Sequence, residues 1–505
     1  MLRLHSRAWL LLALLALMGS AGCARVNLQR QAIPIAVTST ATPFAPATDT
    51  PIPPTATLTP TATLTATPTN TPTPTLTPTP VPPPRAQYTL HAQLDYWART
   101  LDVDEHIVYP NTAETALESI VLNIEPAQWE GVFALTKATV NGQPAHGTLR
   151  GTYWEITLPA PLEPGQRLTL DIRYRLTLPY QTAARIFGAG PRQVNLVDWY
   201  PFIVPYDAAQ GWLWHKPWPF GDHLAYPLAD FDVTLKINHA PEGLVIAASA
   251  LPDEDGHYRL LAARSFAFSL SPNFLTTQTE VEGITITSYY FSEIAKGGAD
   301  MAAYTKSAVA TFLRRYGPLP RKHLSVVATL AADGMEYSGL VFLSNNFYKQ
   351  YNGTILNNLV ALGVHEISHQ WWYDQVGNDQ AIYPWLDEAL ATYSEWIFYH
   401  DNYPNDAHLW WNFRVLWFHP DGYINGSIYD YPLFRPYVNA VYLHGAQFMD
   451  ALRQRIGDDA FFAFLRDYQY QMRGKIAKPE DFFRILDAHT DTDYHDLIAA
   501  YFAAP

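Results

Sequence analysis

The chain has 505 residues, of which 48% are hydrophobic, and a formal net charge of −14 at pH 7. The apolar fraction is ordinary for a globular protein, and the length is sufficient for more than one domain. The negative balance gives no electrostatic support for nucleic-acid binding, so we expect no nucleic-acid partner. No feature of the sequence predicts a protein partner either.

Residues 1–23 have the pattern of a targeting segment. Arg3 and Arg7 precede an apolar run, AWLLLALLALM, that is too short to span a bilayer. Small residues then lead to Cys23, the only cysteine in the chain, so no intramolecular disulfide is possible. The segment resembles a bacterial lipoprotein signal, in which the cysteine is lipidated and becomes the mature N-terminus. The alternative is an ordinary secretory signal. The first interpretation predicts a lipoprotein of the cell membrane that faces the extracellular side, and the second predicts a secreted protein.

Residues 24–86 differ sharply in composition from the rest of the chain. They are rich in threonine and proline, as in the run TPTNTPTPTLTPTP at residues 67–80. Proline removes backbone donors and favours extended polyproline II, and the segment has too few bulky apolar residues to form a core. We therefore predict a disordered, extended tether over residues 24–86.

Residues 87–278 show the two-residue period of β-strands. Apolar side chains alternate with polar ones at the start of this region: Tyr88, Leu90, Ala92, Leu94 and Tyr96. The runs LTLDIRYRLTL from Leu168 and FDVTLKI from Phe231 repeat the period. We predict an antiparallel β domain over residues 87–278. Its aromatic cluster is interpreted as core: Trp199, Tyr200, Trp212, Trp214 and Trp218.

Residues 279–505 change to a mainly helical pattern. A helix is predicted from Ala299 to Tyr316, where Gly317 and Pro318 end it. Strands are predicted on either side of this helix, at ITITSYYF from Ile284 and LSVVATL from Leu324. Helices follow over most of the remaining sequence, so a second domain is predicted over residues 279–505.

The run HEISH, from His365 to His369, contains two histidines four residues apart. On a helix, residues with this spacing lie on one face, one turn apart, and present two imidazoles to one Zn²⁺ with Glu366 beside the metal. The alternative is a structural helix with two core histidines. Zinc also needs a third protein ligand. Glu388 follows in the helix-forming run PWLDEALATYSEW, whose apolar neighbours predict a buried carboxylate that needs a partner.

The motif His-Glu-x-x-His ends at His369, and Glu388 follows it after eighteen residues, inside the run WLDEA. This pattern resembles the M1 family of zinc metallopeptidases, which are gluzincins. The resemblance implies one Zn²⁺ per chain on His365, His369 and Glu388. It also implies the fold class, a multidomain protein with an N-terminal antiparallel β domain and an α+β, thermolysin-like, mainly helical zinc peptidase domain. Most M1 aminopeptidases continue into a large helical C-terminal domain, and we expect this chain to lack it.

The resemblance extends to a substrate-binding loop before the histidines. M1 enzymes carry Gly-Ala-Met-Glu-Asn there. Met335 and Glu336 match this motif, whereas Asp333, Gly334 and Tyr337 replace its Gly, Ala and Asn. The resemblance implies that Glu336 binds the free α-amine of the substrate, and that Gly334 and Met335 form the subsite around it. A turn glutamate is the alternative reading of Glu336.

A catalytic tyrosine is implied in the run VYLHGA, which resembles the family's Tyr-Glu-Lys-Gly-Ala at Tyr442, Gly445 and Ala446. Tyr437 is a competing candidate, and a buried core tyrosine is the alternative reading. In the implied mechanism Glu366 is the general base, and the Tyr442 hydroxyl donates to the developing oxyanion.

The sequence predicts a zinc metallopeptidase that removes N-terminal residues from peptide substrates outside the cytoplasm. Two alternatives stay open. One is an endopeptidase or another hydrolase on the same fold, and the other is a catalytically silent M1-like binding protein.

Overall fold

The computed structural model describes residues 84–504. The predicted signal segment at residues 1–23, Cys23 and the predicted tether as far as residue 83 lie outside the described residues, so these assignments stay predictions. In the part of the chain that is described, no helix is both long enough and apolar enough to cross a membrane.

Strands dominate the described chain as far as residue 271, as the alternating pattern predicts. Their bounds are β1 (Ala86–Asp95), β2 (Thr100–Pro110), β3 (Leu117–Asn123), β4 (Phe133–Val140), β5 (Gln143–Pro144), β6 (His146–Arg150), β7 (Tyr153–Leu162), β8 (Arg167–Thr177), β9 (Gly188–Ala189), β10 (Val194–Leu196), β11 (Phe202–Ile203), β12 (Tyr206–Asp207), β13 (Gly211–Trp212), β14 (Ala229–Asn238), β15 (Val245–Ala248), β16 (His257–Ala263) and β17 (Phe268–Ser271). A 3₁₀ turn, Glu125–Gln128, lies between β3 and β4.

The largest sheet has seven strands in the order β16-β14-β1-β2-β8-β4-β5. Alternate residues of β1 and β8 face the core, so Tyr88, Leu90 and Leu170 are buried while their neighbours face solvent. Two four-stranded sheets, β15-β17-β10-β9 and β11-β3-β7-β6, accompany it. The pairing is antiparallel except between β1 and β14. These two strands are far apart in sequence, so a long crossover joins them and parallel pairing is possible.

Helices dominate after residue 294. The bounds from residue 275 onward are β18 (Leu275–Val281), β19 (Ile284–Tyr290), α1 (Ala295–Tyr316), β20 (His323–Thr329), β21 (Met335–Tyr337), β22 (Leu340–Ser344), α2 (Asn345–Gln350), α3 (Asn358–Ser368), β23 (Gly377–Asn378), α4 (Trp385–Asn402), α5 (Pro404–Arg414), α6 (Phe434–Tyr437), α7 (Gly445–Ile456), α8 (Asp458–Met472), β24 (Ile476–Ala477), α9 (Pro479–Asp487) and α10 (His495–Tyr501). A π-helical turn, Val438–His444, joins α6 to α7. The predicted fold class, a β domain followed by a mainly helical domain, is confirmed. The exact division into residues 87–278 and 279–505 stays a prediction, and β18 spans it.

A five-stranded sheet in the second half of the chain has the order β18-β19-β20-β22-β21, with β21 antiparallel to β22 at its edge. Helix α1 ends at Gly317, whose φ of 108° favours glycine, as the sequence predicts. Helix α3 begins after Asn357, whose side chain accepts a hydrogen bond from the backbone N–H of Val360. Helix α4 is buried on every face from Trp385 to Tyr399, and the buried residues include the carboxylates Asp387, Glu388 and Glu395.

A buried ion pair fixes the segment that follows α3. Arg321 donates to both oxygens of Asp374 at 2.7 and 2.6 Å, and to the backbone carbonyls of Leu261 and Ala262. The Ser338 hydroxyl also donates to Asp374. Because both partners are paired and hydrogen-bonded, the charges are tolerated in the interior. This contact ties the β region, the end of β21 and the segment after His369 together.

Candidate active site

Two histidines and a glutamate converge where α3 meets α4. His365 lies in the last turn of α3 and His369 caps its C-terminus, so the two rings leave one face with centroids 4.9 Å apart. Oε2 of Glu388, in the first turn of α4, lies 3.0 Å from His365 Nε2 and 3.6 Å from His369 Nε2. One ligand atom from each residue lies within 4.8 Å of the others. The structure thus brings the three predicted metal ligands together.

These donors fit a zinc ion. Two imidazole nitrogens and one carboxylate oxygen form the ligand set of many catalytic zinc sites, which keep a fourth position for water or substrate. All three residues are buried. Burial raises the pKa of Glu388, but the neighbouring His369 and His365 outweigh this effect and hold the pKa well below its usual range. Glu388 is therefore an anion that faces two nitrogen donors, which is the charge that a divalent cation requires.

The other ring nitrogen of each histidine is held by a buried acceptor. His365 Nδ1 lies 3.0 Å from Glu395 Oε1, and Glu395 accepts from Arg414 through both oxygens at 3.0 and 2.9 Å. His369 Nδ1 lies 2.8 Å from the backbone carbonyl of Trp372. A carbonyl only accepts, so His369 carries its proton on Nδ1 and offers the lone pair of Nε2 to a metal.

Glu366 lies beside the ligands and against the predicted substrate loop. It is 6% exposed, and a Cβ added at Gly334 would come within 2.1 Å of Glu366 Oε1. A larger residue at position 334 would therefore require the Glu366 side chain to move. Burial raises the pKa of Glu366 to about 8. A carboxylate with a raised pKa beside three potential metal ligands is placed where it could act as a general base.

Tyr442 lies over the ligand His365. Its ring is parallel to the imidazole, with centroids 5.9 Å apart and 6° between the planes. Tyr442 lies in the π-helical turn and lines the same cavity as His365, His369 and Glu388. The competing candidate, Tyr437, is fully buried and packs against Phe220 and Tyr431. The geometry therefore favours Tyr442 as the hydroxyl that faces a bound substrate.

Glu336 lies on the edge strand β21 and faces the histidines. It is 4% exposed, and one of its oxygens lies within 4.8 Å of ligand atoms of His369 and Glu366. Gln380 donates to Glu336 Oε1 at 3.1 Å and also to Asp387 at 2.9 Å. Glu336 is thus not a solvent-exposed turn residue, and its carboxylate faces the cleft.

Two cavities meet at Glu336. The larger, named here the metal cleft, has a volume of about 680 Å³ and is lined by all of the predicted site residues, including Gly334 and Met335. The smaller, named here the inner cavity, has a volume of about 270 Å³ and extends among residues of the β region. Their walls share nine residues, among them Asp222, Met335 and Glu336.

Sequence reasoning missed the residues that support the ligands. Glu395 follows Glu388 by seven residues, which is two helical turns, so the 3.6-residue period would have placed both on one face of α4. Arg414 and the carbonyl of Trp372 carry no comparable signal, because their contacts depend on how separate segments pack.

A model of the peptidase family M1 domain matches residues 303–501, which contain all eight predicted site residues. The chain contains an M1 peptidase domain. The predicted resemblance to that family is therefore confirmed. The membrane alanyl aminopeptidase of Heliothis virescens is similar to this chain, with 27% identity over 156 residues. The match covers 29% of this chain and 15% of that relative, so the chain spans only a small part of its length.

Solved structures similar to the chain include an M1 zinc metallopeptidase from Deinococcus radiodurans. It has a TM-score of 0.60 and 18% identity, and the match covers 83% of this chain and 95% of that one. A mutant of that metallopeptidase bound to a Tyr-Ser-Ala substrate has a TM-score of 0.58 and 18% identity, with 83% and 95% coverage. At this identity the likeness shows the fold, and it agrees with a β region followed by an M1 domain.

Proposed function

We propose that this chain is a zinc-dependent metallopeptidase that removes N-terminal residues from peptides outside the cytoplasm. The observation that carries the proposal is the convergence of His365, His369 and Glu388 in the M1 domain, with Glu366 beside them in one cleft. This is the arrangement that metal-assisted peptide hydrolysis needs, because ligands, proton acceptor and substrate space occur together.

Each residue of the cleft has a distinct part in the proposed reaction. When bound to His365, His369 and Glu388, zinc supplies a Lewis acid and lowers the pKa of its water. Glu366 would accept a proton from the attacking water and would pass it to the leaving amine. Tyr442 donates its hydroxyl proton to the oxyanion that develops from the scissile carbonyl.

Glu336 supports the removal of N-terminal residues. An exopeptidase must bind a charged terminus, and Glu336 offers a buried carboxylate next to the ligands. A charge-assisted hydrogen bond to an ammonium is stronger in such a site than in water. The name of the Heliothis relative, an alanyl aminopeptidase, supports the same substrate class.

We predict that Glu336→Ala weakens the cleavage of free-amine peptides by about ten- to a hundred-fold in kcat/KM, because it removes a bond worth about 1.5–3 kcal/mol. Zinc content should not change. The measurement compares free and N-acetylated forms of one peptide with wild type and variant, using Glu254→Gln at an exposed carboxylate as the control. The ratio of kcat/KM for the free peptide to kcat/KM for the N-acetylated peptide should be smaller for the variant than for wild type. Equal cleavage of both forms by wild type would instead favour an endopeptidase.

We also propose that lipid on Cys23 anchors the protein to the outer face of a membrane, with residues 24–83 as the tether. The predicted end of the tether at residue 86 is wrong, because Arg85 pairs with Asp230 and β1 begins at Ala86. The support is the sequence pattern around Cys23 and the Thr/Pro composition that follows it. Cys23→Ser is expected to move the protein from the membrane fraction to the soluble fraction while peptide cleavage continues. Cell fractionation with metabolic labelling by a fatty-acid analogue makes the measurement. Retention of the variant in the membrane fraction would contradict the anchor.

A further inference from the structure

The inner cavity opens at the place where the first side chain of a bound peptide leaves the backbone. This step rests on the proposed function, in which the α-amine binds Glu336 and the first carbonyl faces the ligands. The side chain between these two groups then lies where the metal cleft and the inner cavity join, at Asp222, Met335 and Glu336. The chemistry of the inner cavity therefore decides which first residue fits.

Carboxylates dominate the charged groups of the inner cavity. They are Glu125, Asp198, Asp222 and Glu336, and the cationic side chains of the wall are Arg185 and His223. His223 is already used, because its Nε2 lies 3.2 Å from Glu125 Oε2. Arg185 donates to the backbone carbonyl of Tyr180 at 2.7 Å and lies over the ring of Trp129. Neither cation pairs with the other carboxylates, so negative charge is left over.

Asp198 and Asp222 have no ionic partner among residues 84–504. Asp198 accepts hydrogen bonds from the hydroxyls of Tyr226 and Tyr337, which are neutral donors. The carboxylate of Asp222 accepts no hydrogen bond from any described residue. Burial and the charges of Glu336 and Glu388 raise the pKa of Asp222. A cationic side chain that entered the inner cavity would therefore meet a carboxylate of Asp222 that has no hydrogen-bond donor in the described chain.

Glu336 also lines the junction, where the proposed function places the α-amine of the substrate. It is buried to more than nine-tenths and lines both cavities, yet its one side-chain hydrogen bond within the described chain comes from Gln380 to Oε1. In the proposed function the α-amine supplies the counter-charge of Glu336, so Asp198 and Asp222 are the carboxylates of the inner cavity that remain for the side chain.

Aromatic rings form part of the remaining wall. They include Trp129, Phe187, Trp218 and Phe220, and the rings of Trp129 and Phe187 stack with centroids 5.7 Å apart. Such walls suit the methylene stem of a long side chain, and ring faces attract ammonium and guanidinium groups. A volume of about 270 Å³ equals roughly nine water molecules at about 30 Å³ each, which is enough for one long side chain.

We propose that the inner cavity binds the side chain of the substrate's first residue and selects side chains that end in a positive charge, arginine and lysine, through Asp198 and Asp222.

The first test uses wild type and pairs of substrates that differ only in charge. Aminoacyl-coumarin amides of arginine and citrulline form one pair, and those of lysine and norleucine form the other. A cationic side chain that gains a charge-assisted hydrogen bond should raise kcat/KM by about ten- to a hundred-fold over its neutral partner. Cleavage of all four substrates at similar rates overturns the cavity assignment and leaves the peptidase proposal standing. No cleavage of any of them by zinc-loaded protein contradicts the peptidase proposal itself.

The second test uses the double variant Asp198→Asn, Asp222→Asn, which keeps the size of both side chains and removes their charge. The arginine-to-citrulline ratio should fall by at least about ten-fold, while zinc content and cleavage of the citrulline substrate change little. Glu254→Gln, at an exposed position, is the matched control. An equal loss of kcat/KM on the arginine and citrulline substrates would show that the carboxylates act on the α-amine, which both substrates share. This result overturns the assignment of Asp198 and Asp222 to the side chain.

Discussion

Replacing His365 and His369 together by alanine is expected to abolish zinc binding. Wild type should hold about one zinc ion per chain, because three ligand atoms converge on one point. The double variant keeps only Glu388 of the three ligands. We expect the affinity of the variant for zinc to fall by more than about 100-fold, which exceeds the 10–100-fold loss typical of changes to residues that support the ligands. Metal analysis after dialysis against a weak chelator makes the measurement.

Two further variants calibrate this result. Glu395→Gln removes the charge behind His365 but keeps all three ligands, so zinc affinity should fall by about 10–100-fold. His146→Ala, at an exposed position on β6, should bind zinc as wild type does. If the His365→Ala, His369→Ala variant keeps full zinc occupancy, the metal lies elsewhere and the assignment of the site is wrong.

Glu366→Gln is expected to lower kcat by about 100- to 10,000-fold, because the variant cannot accept the proton of the attacking water. The substitution keeps the shape of the side chain, which matters where Gly334 and Glu366 are in close contact. Zinc content and KM should change much less than kcat, since Glu366 is not one of the three ligands. The measurement is steady-state hydrolysis of a free-amine peptide at matched zinc occupancy.

The control for Glu366→Gln is Glu254→Gln, which makes the same chemical change at an exposed position. If Glu366→Gln retains wild-type kcat with its zinc intact, another group accepts the proton. If wild type binds zinc and peptide but hydrolyses nothing, the chain is a silent binding protein of the same family.

The ligand trio was predictable because its geometry is local. His365 and His369 are one helical turn apart, and the next buried helix begins three residues before Glu388. The choice between Tyr437 and Tyr442 was harder. Tyr442 lies in a π-helical turn, which adds a residue to the usual period and changes the direction in which later side chains point. A 3.6-residue pattern does not record that change.

Features that depend on distant segments were beyond the sequence. Glu395 meets Arg414 only because α4 and α5 pack together, and β1 pairs in parallel with β14 across a long stretch of chain. The aromatic cluster interpreted as core shows the same limit. Trp199 is fully buried, but Trp218 lines the inner cavity beside Asp222. Composition predicts that such rings are sheltered from water, and only the packing shows that some of them border a site.

The most direct test of the account is hydrolysis of a free-amine peptide by one protein sample before zinc removal, after removal, and after restoration. The account predicts cleavage by protein with about one zinc per chain, loss of cleavage when a chelator removes the metal, and recovery when one equivalent of Zn²⁺ returns to His365, His369 and Glu388. Undiminished hydrolysis by protein shown to be free of metal would contradict it.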